Sequence, residues 1–543
     1  MLLLLLLLLL LLHGTARSEC CISRASTLPP ASLPSLVRSY NAVNGVPSCA
    51  DPKLLQGQVR GKWGFDGYIT SDCGAVNDVQ NAADHGYISD PSKAVKAVLE
   101  AGMDSDCGGF LGAHMANGIA DGTVSAADYN TALTNMFMVR MRLGQFDDAA
   151  TQPYMQYGTD RIDTAEHQQL ALEAALQGMV LLKNEGGTLP LAKAPALGVA
   201  VLGPTADDGG VLQGNYQGHA PYLVTPRAAI AAYANVTFVQ GCSKVSDNAC
   251  ADTANAAKAA AAAAATVLVV GLDQSQESEG HDRTSISFPG KQEALIAAVA
   301  AASPTPIVVV LMAGSSVDLS AAKANAKVGA ILFVGYPGQS GGTAIAQTLF
   351  GDSVPSGRLT VTFYPEAYTN ECKMSDMNMR PNATTGCTGR SYRFYTGAPV
   401  YKFGTGLSYT SFATAVGVKQ QGDAEQGTAS KAALEATMAS TMEHEAPALA
   451  TAAATVTNTG TVAADHTVLL FAVPPTAGVG GAPLRTLVGF KRIAALAPGA
   501  SATVAIPLNA YAFSYAATDG TRVSVAGDWV LEAGETSTTF TVL

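Results

Sequence analysis

The chain has 543 residues, 48% of them hydrophobic and 14% charged, with 32 Lys and Arg against 43 Asp and Glu for a net charge of −11. That length supports three or four domains, and a mean hydropathy of +0.19 excludes wholesale disorder. A pI near 5.2 leaves no basic surface for a polyanion, which excludes nucleic acid and an acidic membrane surface as partners.

In chain order, residues 2–12 are eleven consecutive leucines. That is short of the roughly 20 apolar residues of a spanning helix, so no membrane span is expected. The small residues of His13-Gly14-Thr15-Ala16 stand where a signal peptidase would cut, which predicts a secretory signal peptide over 1–16, although no Lys or Arg precedes the leucines. Residues 17–35 contain Ser and Pro without periodicity and read as a linker. Ordered structure is expected from near Val37. The apolar run Gly67-Tyr68-Ile69-Thr70 is followed by Ser71-Asp72-Cys73-Gly74 and a helical stretch over 92–101, a strand-loop-helix order. A second such unit begins at Gly102-Met103-Asp104, and a helix over 129–143 ends at Gly144.

From 160 to 370, Ala-rich helices alternate with the fully apolar runs 198–202, 266–270, 307–312 and 329–334. Runs buried on both faces predict a parallel sheet covered by helices, an α/β sandwich. A low-aromatic stretch from about 419 to 450 reads as a flexible connector or an exposed helix. The last hundred residues alternate with period two between turn signals such as Asn458-Thr459-Gly460, which predicts a β-sandwich, immunoglobulin-like or fibronectin type III-like.

Nine cysteines in so long a chain are not a disulfide scaffold, but Cys242 with Cys250 and Cys372 with Cys387 are placed to close local loops in an oxidising compartment. The sequons at Asn235 and Asn382 predict N-glycosylation and point to the same compartment. No CxxC or HxxxH spacing occurs, so neither a metal site nor a cofactor is expected.

Two places carry candidate chemistry. Asp72 stands at the C-terminal end of a strand in a βα unit, where α/β enzymes gather reactive groups; it could equally cap the next helix. The cluster Glu277-Ser278-Glu279-Gly280-His281-Asp282-Arg283 follows a buried strand and reads as a functional loop, with a solvated charge run as the alternative. Two carboxylates from different domains suit glycoside hydrolysis with retention, where one attacks and the other serves as acid and then base, about 5 Å apart across the bond.

The strings Ser39-Tyr40-Asn41-Ala42-Val43-Asn44-Gly45-Val46-Pro47, Trp63-Gly64-Phe65-Asp66-Gly67-Tyr68-Ile69-Thr70-Ser71-Asp72 and Leu181-Leu182-Lys183-Asn184-Glu185-Gly186 resemble glycoside hydrolase family 3. So do Gly335-Tyr336-Pro337-Gly338-Gln339-Ser340-Gly341-Gly342, Gly389-Arg390-Ser391-Tyr392-Arg393-Phe394-Tyr395 and Leu484-Arg485-Thr486-Leu487-Val488-Gly489-Phe490, in the family's order. Ser71-Asp72-Cys73, Asp106-Cys107-Gly108 and Gly214-Asn215-Tyr216 are similar to the branch of β-D-xylosidases and bifunctional α-L-arabinofuranosidases. The resemblance implies Asp72 as nucleophile, Glu279 as general acid/base with Glu277 as fallback, and Tyr40 at the sugar subsite.

It also implies an α/β multidomain fold: the C-terminal part of a (β/α)₈ barrel over 36–150, an α/β sandwich over 160–415, a linker over 416–450 and a fibronectin type III-like domain over 451–543. A complete barrel takes about 250 residues, and 36–150 holds roughly three or four βα units. Family members carry an Asp-Pro-Arg-Trp-Gly-Arg-like motif and a Lys-His pair ahead of the Ser-Tyr-Asn string, and neither stands here. The expectation is a secreted exo-glycosidase removing terminal xylosyl or arabinofuranosyl residues from xylan-type oligosaccharides or plant polysaccharide, lacking part of its active-site wall. A β-glucosidase of the same family and a non-catalytic carbohydrate-binding or structural remnant are the alternatives.

Overall fold

The computed structural model describes residues 35–420 and 427–543. The leader expected over 1–16 and the linker expected over 17–35 lie outside the described residues, except for Ser35, which already begins a strand. The chain divides between Ile162 and Asp163 into two compact units.

In the first unit, β1 (Ser35–Arg38) pairs in parallel with β2 (Tyr68–Ser71), Leu36 opposite Ile69. Helices α1 (Ala75–Gln80), α2 (Pro91–Ala101), α3 (Phe110–Ala120) and α4 (Ala126–Arg142) follow. Local sequence explains α2 well. The Asp90 side chain accepts the Lys93 N–H at 2.9 Å, and Pro91 occupies the first helical position, where a missing N–H is harmless. Ala94, Val95, Val98 and Leu99 then bury one face against Leu55, Val59, Ile69 and Met103. The chain after α2 returns beside β2 through a parallel bridge between Thr70 and Ser105. Short turns at Ala149–Thr151, Pro153–Gln156 and Thr159–Arg161 carry this unit past residue 150. Helix α4 buries only Ala132 and Val139, while Leu133, Phe137, Met138 and Met141 face solvent, Met141 at 65% exposure.

The second unit opens with α5 (Ala165–Gly178) and builds a six-stranded sheet from β3 (Val180–Asn184), β4 (Gly198–Leu202), β5 (Asn235–Val239), β6 (Ala265–Gly271), β7 (Ile307–Met312) and β8 (Val328–Phe333). The order is β3-β8-β7-β6-β4-β5, parallel except for β3 against β8. The four fully apolar runs of the sequence are the four interior strands. Along β6, Leu268 and Val270 enter one core with α6 (Thr253–Ala262) and α7 (Gln292–Ala302), and Val267 and Val269 enter another with α8 (Gly341–Leu349). Alternation therefore persists, with both faces covered.

The same unit continues into a β-sandwich. One sheet is β9 (Phe412–Gln420), β10 (Ala450–Asn458) and β13 (Ser501–Leu508); the other joins Thr428–Ala429, β15 (Thr536–Val542), β14 (Gly527–Ala533), β11 (Ala464–Val473) and β12 (Thr486–Leu496). Phe513, Trp529 and Phe540 centre its core. The linker expected over 416–450 is corrected here. Residues 412–420 form a full antiparallel ladder with β10, and α9 (Lys431–Ser440) buries Leu434 to 2% exposure. The connector reading relied on low aromatic content, but a backbone ladder needs none, and Ala450, Ala452 and Ala454 supply three of the five buried positions of β10.

Candidate active site

Asp72 directly follows β2, and its N–H donates to the Arg38 carbonyl at 2.6 Å, extending the parallel pairing by one residue. Its Oδ1 accepts the Cys73 N–H at 2.7 Å. The next helix, α1, is entered through Gly74 with no side-chain cap, so the Asp72 carboxylate is not its cap. The loop is braced from several sides. Cys73 is disulfide-bonded to Cys107, and Gly74 N–H donates to Cys107 O at 2.7 Å. Ser71 Oγ donates to Asp106 Oδ1 at 3.2 Å and accepts the Cys107 N–H at 3.0 Å. The Tyr40 hydroxyl donates to Cys73 O at 2.9 Å, which places Tyr40 beside the Asp72 loop, and His85 Nε2 lies 2.6 Å from Tyr40 O.

Asp104 of the next unit lies level with Ile69 of β2, three residues short of the level of Asp72, and has a different environment. It is buried, its Oδ2 pairs with Arg60 and accepts the Ile69 N–H at 2.7 Å, and its Oδ1 accepts Asn135 Nδ2 at 2.8 Å. Burial raises its pKa in spite of these partners. With its acceptors engaged, Asp104 ties the strand ends together.

In the second unit, β6 ends at Gly271, whose φ of +148° and close approach to β7 leave no room for a side chain: a Cβ would lie 1.8 Å from Met312 O. Buried Gln292 closes this end, accepting the Gly271 N–H at 2.8 Å and donating to Gly271 O at 2.8 Å. The acidic loop that follows is anchored at both ends. Glu277 accepts the Gly314 N–H at 2.6 Å, the Tyr336 hydroxyl at 2.6 Å and the Ser315 hydroxyl. Arg283 donates to Ser315 Oγ and Ser316 O, each at 3.0 Å. Burial pushes the Tyr336 phenol up, helped by its bond to Glu277; burial pulls Arg283 down, partly offset by Glu277.

Between the anchors a tight turn closes through His281 N–H to Ser278 O at 3.0 Å, with Gly280 at φ +76°. Glu279 sits exposed in this turn, and its carboxylate has no hydrogen bond or ion pair among the described residues. The two glutamates thus differ sharply: Glu277 is saturated by donors and Glu279 is unengaged. Asp72 and Tyr40 belong to the first unit, Glu277 and Glu279 to the second.

The structure pairs Cys242 with Cys250 and Cys372 with Cys387. It adds Cys73–Cys107, which sequence reasoning missed although both cysteines directly follow, or follow by two residues, a strand-end Asp or Ser of neighbouring βα units. Asn235 starts β5 on the exposed surface, and Asn382 is partly exposed. Among the described residues no group of three or more His, Cys, Asp or Glu is placed to hold a metal ion, and no helix is long and apolar enough to cross a membrane.

A βα unit with a strand-end carboxylate, an α/β sandwich with an anchored acidic loop, and a trailing β-sandwich define a multidomain α/β protein. Residues 30–106 match the Glycosyl hydrolase family 3 N terminal domain, 179–409 the family 3 C-terminal domain and 466–537 the Fibronectin type III-like domain. The chain belongs to glycoside hydrolase family 3. It is 43% identical over 465 residues to "Probable beta-D-xylosidase 7" of Arabidopsis thaliana, covering 84% of this chain and 60% of that protein. It is also 43% identical over 380 residues to "Beta-xylosidase/alpha-L-arabinofuranosidase 2" of Medicago sativa subsp. varia, covering 70% and 49%. Among solved structures, a GH3 exo-beta-xylosidase (XlnD) in complex with a xylobiose aziridine probe superposes with TM-score 0.86 at 36% identity, over 94% of this chain and 66% of that one. The chain spans 47–62% of the length of these and other curated relatives.

Proposed function

We propose that the chain carries the catalytic carboxylates of a retaining, exo-acting β-D-xylosidase that removes terminal xylosyl, and also α-L-arabinofuranosyl, residues from xylan-type oligosaccharides. The observation that carries this reading is the contrast between the two glutamates: a loop pinned by Glu277 and Arg283 presents Glu279 unengaged. In this reading Asp72 attacks the anomeric carbon while Glu279 protonates the departing oxygen. Glu279 then takes a proton from the water that releases the sugar, and two inversions give net retention. Tyr40 lines the sugar subsite. The names of the relatives support the xylose preference over a β-glucosidase. Secretion and glycosylation at Asn235 and Asn382 belong to the same proposal.

The test compares hydrolysis of 4-nitrophenyl xyloside, arabinofuranoside and glucoside by the chain and by Asp72→Ala and Glu279→Gln. The expected result is loss of turnover in the first variant. The second should lose xylobiose hydrolysis far more than hydrolysis of the aryl xyloside, whose leaving group needs no proton. Equal activity in the chain and Asp72→Ala would sink the assignment of the nucleophile.

A second reading, a carbohydrate-binding remnant without turnover, is favoured by one observation. The parallel sheet of the first unit has two strands among the described residues, whereas a closed barrel has eight. Absence of turnover on all three substrates, with the chain folded, would favour it.

A further inference from the structure

The β-sandwich part of the second unit contains a cavity of about 220 Å³ whose chemistry none of the preceding roles uses. It is smaller than the ~300–1,000 Å³ of sites for drug-sized ligands, so its capacity is close to one sugar ring. Leu487, Val488 and Pro507 give its lining an apolar part. Arg393 and Arg522 line it too, with Glu443 the one acid among the lining residues.

Arg393 is the telling residue. Its segment is fastened to the start of β12: Leu484 N–H donates to Arg393 O at 2.6 Å, and Leu487 N–H donates to the Tyr392 hydroxyl at 3.2 Å. Its guanidinium rests over the Phe394 ring at 5.5 Å, yet it makes no hydrogen bond or ion pair among the described residues, and its Nε is buried without an acceptor. The neighbouring Arg390 shares a buried Nε without an acceptor, but its Nη2 donates to the carbonyls of Lys373 and Asp376. Arg522 is partly committed, donating to Ser514 Oγ at 2.9 Å and lying 4.0 Å from Glu443 Oε2. Two guanidinium groups against one carboxylate leave the cavity cationic in a chain of net charge −11.

We infer that this cavity is a second carbohydrate site, taking one carboxylate-bearing sugar, a hexuronate. Its carboxylate meets the planar fork of Arg393, and its C–H face lies on Leu487 and Pro507. A bare inorganic anion would use the cation and leave the apolar side chains uncovered; a neutral sugar would offer Arg393 hydroxyl acceptors but leave its charge uncompensated. The site needs no turnover at Asp72, so its test is separate from that of the proposed activity.

Calorimetric titration of the whole chain with D-glucuronate, D-xylose and inorganic phosphate tests it. Glucuronate is expected to bind at least about tenfold more tightly than phosphate and to keep its affinity in the presence of D-xylose, whose own subsite is beside Asp72, and Arg393→Leu to lose about tenfold or more of that affinity, the scale of a charged hydrogen bond. Arg393→Lys, which keeps the charge without the fork, should fall between and gives a readout should the Leu variant fail to fold. Asp72→Ala should bind glucuronate as the parent does. Any of four results overturns the inference: no glucuronate binding at millimolar concentration, phosphate binding as tightly as glucuronate, affinity indifferent to both Arg393 variants, or affinity lost in Asp72→Ala.

Discussion

Glu277 and Glu279 stand two residues apart, and their surroundings divide the work between them. Three donors fix Glu277, whereas Glu279 keeps its lone pairs for solvent or substrate. Sequence could not separate the pair, because the donors come from Gly314, Ser315 and Tyr336, far away in the chain. His466 shows a different residue-scale effect. Its Nδ1 lies 3.3 Å from Arg358 Nη2, and burial, with Arg358 second, pushes its pKa from 6.5 down to about 4. The unfolded chain therefore takes up a proton below about 6.5 that the folded chain refuses until about 4, and the unfolded state binds more protons in that window. Stability contributed by neutral His466 is complete above that window and lost as pH falls through it, on the order of 2 kcal/mol after discounting for partial exposure. Denaturant titrations from pH 7 to 4 should show that decline, and His466→Gln should flatten it.

At the scale of elements, the interior strands were legible because burial on both faces writes itself as unbroken apolar runs. The edge strand β5 reads Asn-Val-Thr-Phe-Val and alternates, so that signal is lost. Strand β9 does not fit the connector reading for the reason given above, while α9 matches its exposed-helix alternative except at Leu434, and that residue offers a direct check. Leu434→Ala should cost about 2–5 kcal/mol as a buried Leu truncation, measured by urea denaturation; a connector residue would cost nothing. The Asp72 position was legible from its strand, but its bracing was not: Cys242–Cys250 and Cys372–Cys387 are close in sequence, whereas Cys73 and Cys107 are 34 apart and meet only because two βα units pack side by side. Cys73–Cys107 closes a sequence separation of 34, a constraint on the unfolded chain of about 3–4 kcal/mol in the loop-entropy account. Replacing both cysteines by Ser should lower the melting temperature of the first unit, as followed by calorimetry, and leave that of the second unchanged.

At the scale of the whole molecule, the second unit is covered on both faces of its sheet and closed by the β-sandwich core, while the first is less fully sealed. The exposed residues of α4 are followed by Phe146, Tyr154, Met155 and Tyr157, with Tyr154 at 78% exposure. Phe137 and Phe146 lie 6.1 Å apart and Tyr154 and Tyr157 6.0 Å apart, so this exposure is clustered rather than single and scattered. It governs how the protein should behave on the bench. Sulfate is excluded from protein surfaces and strengthens apolar association, so light scattering should rise at lower ammonium sulfate concentration than for Phe137→Ser/Met141→Ser. If the double variant precipitates at the same salt concentration as the parent, the α4 face is not what limits solubility. If it stays clear longer, purification and crystallisation conditions for this protein should be built around low salt, because the last long helix of the first unit is also its adhesive side.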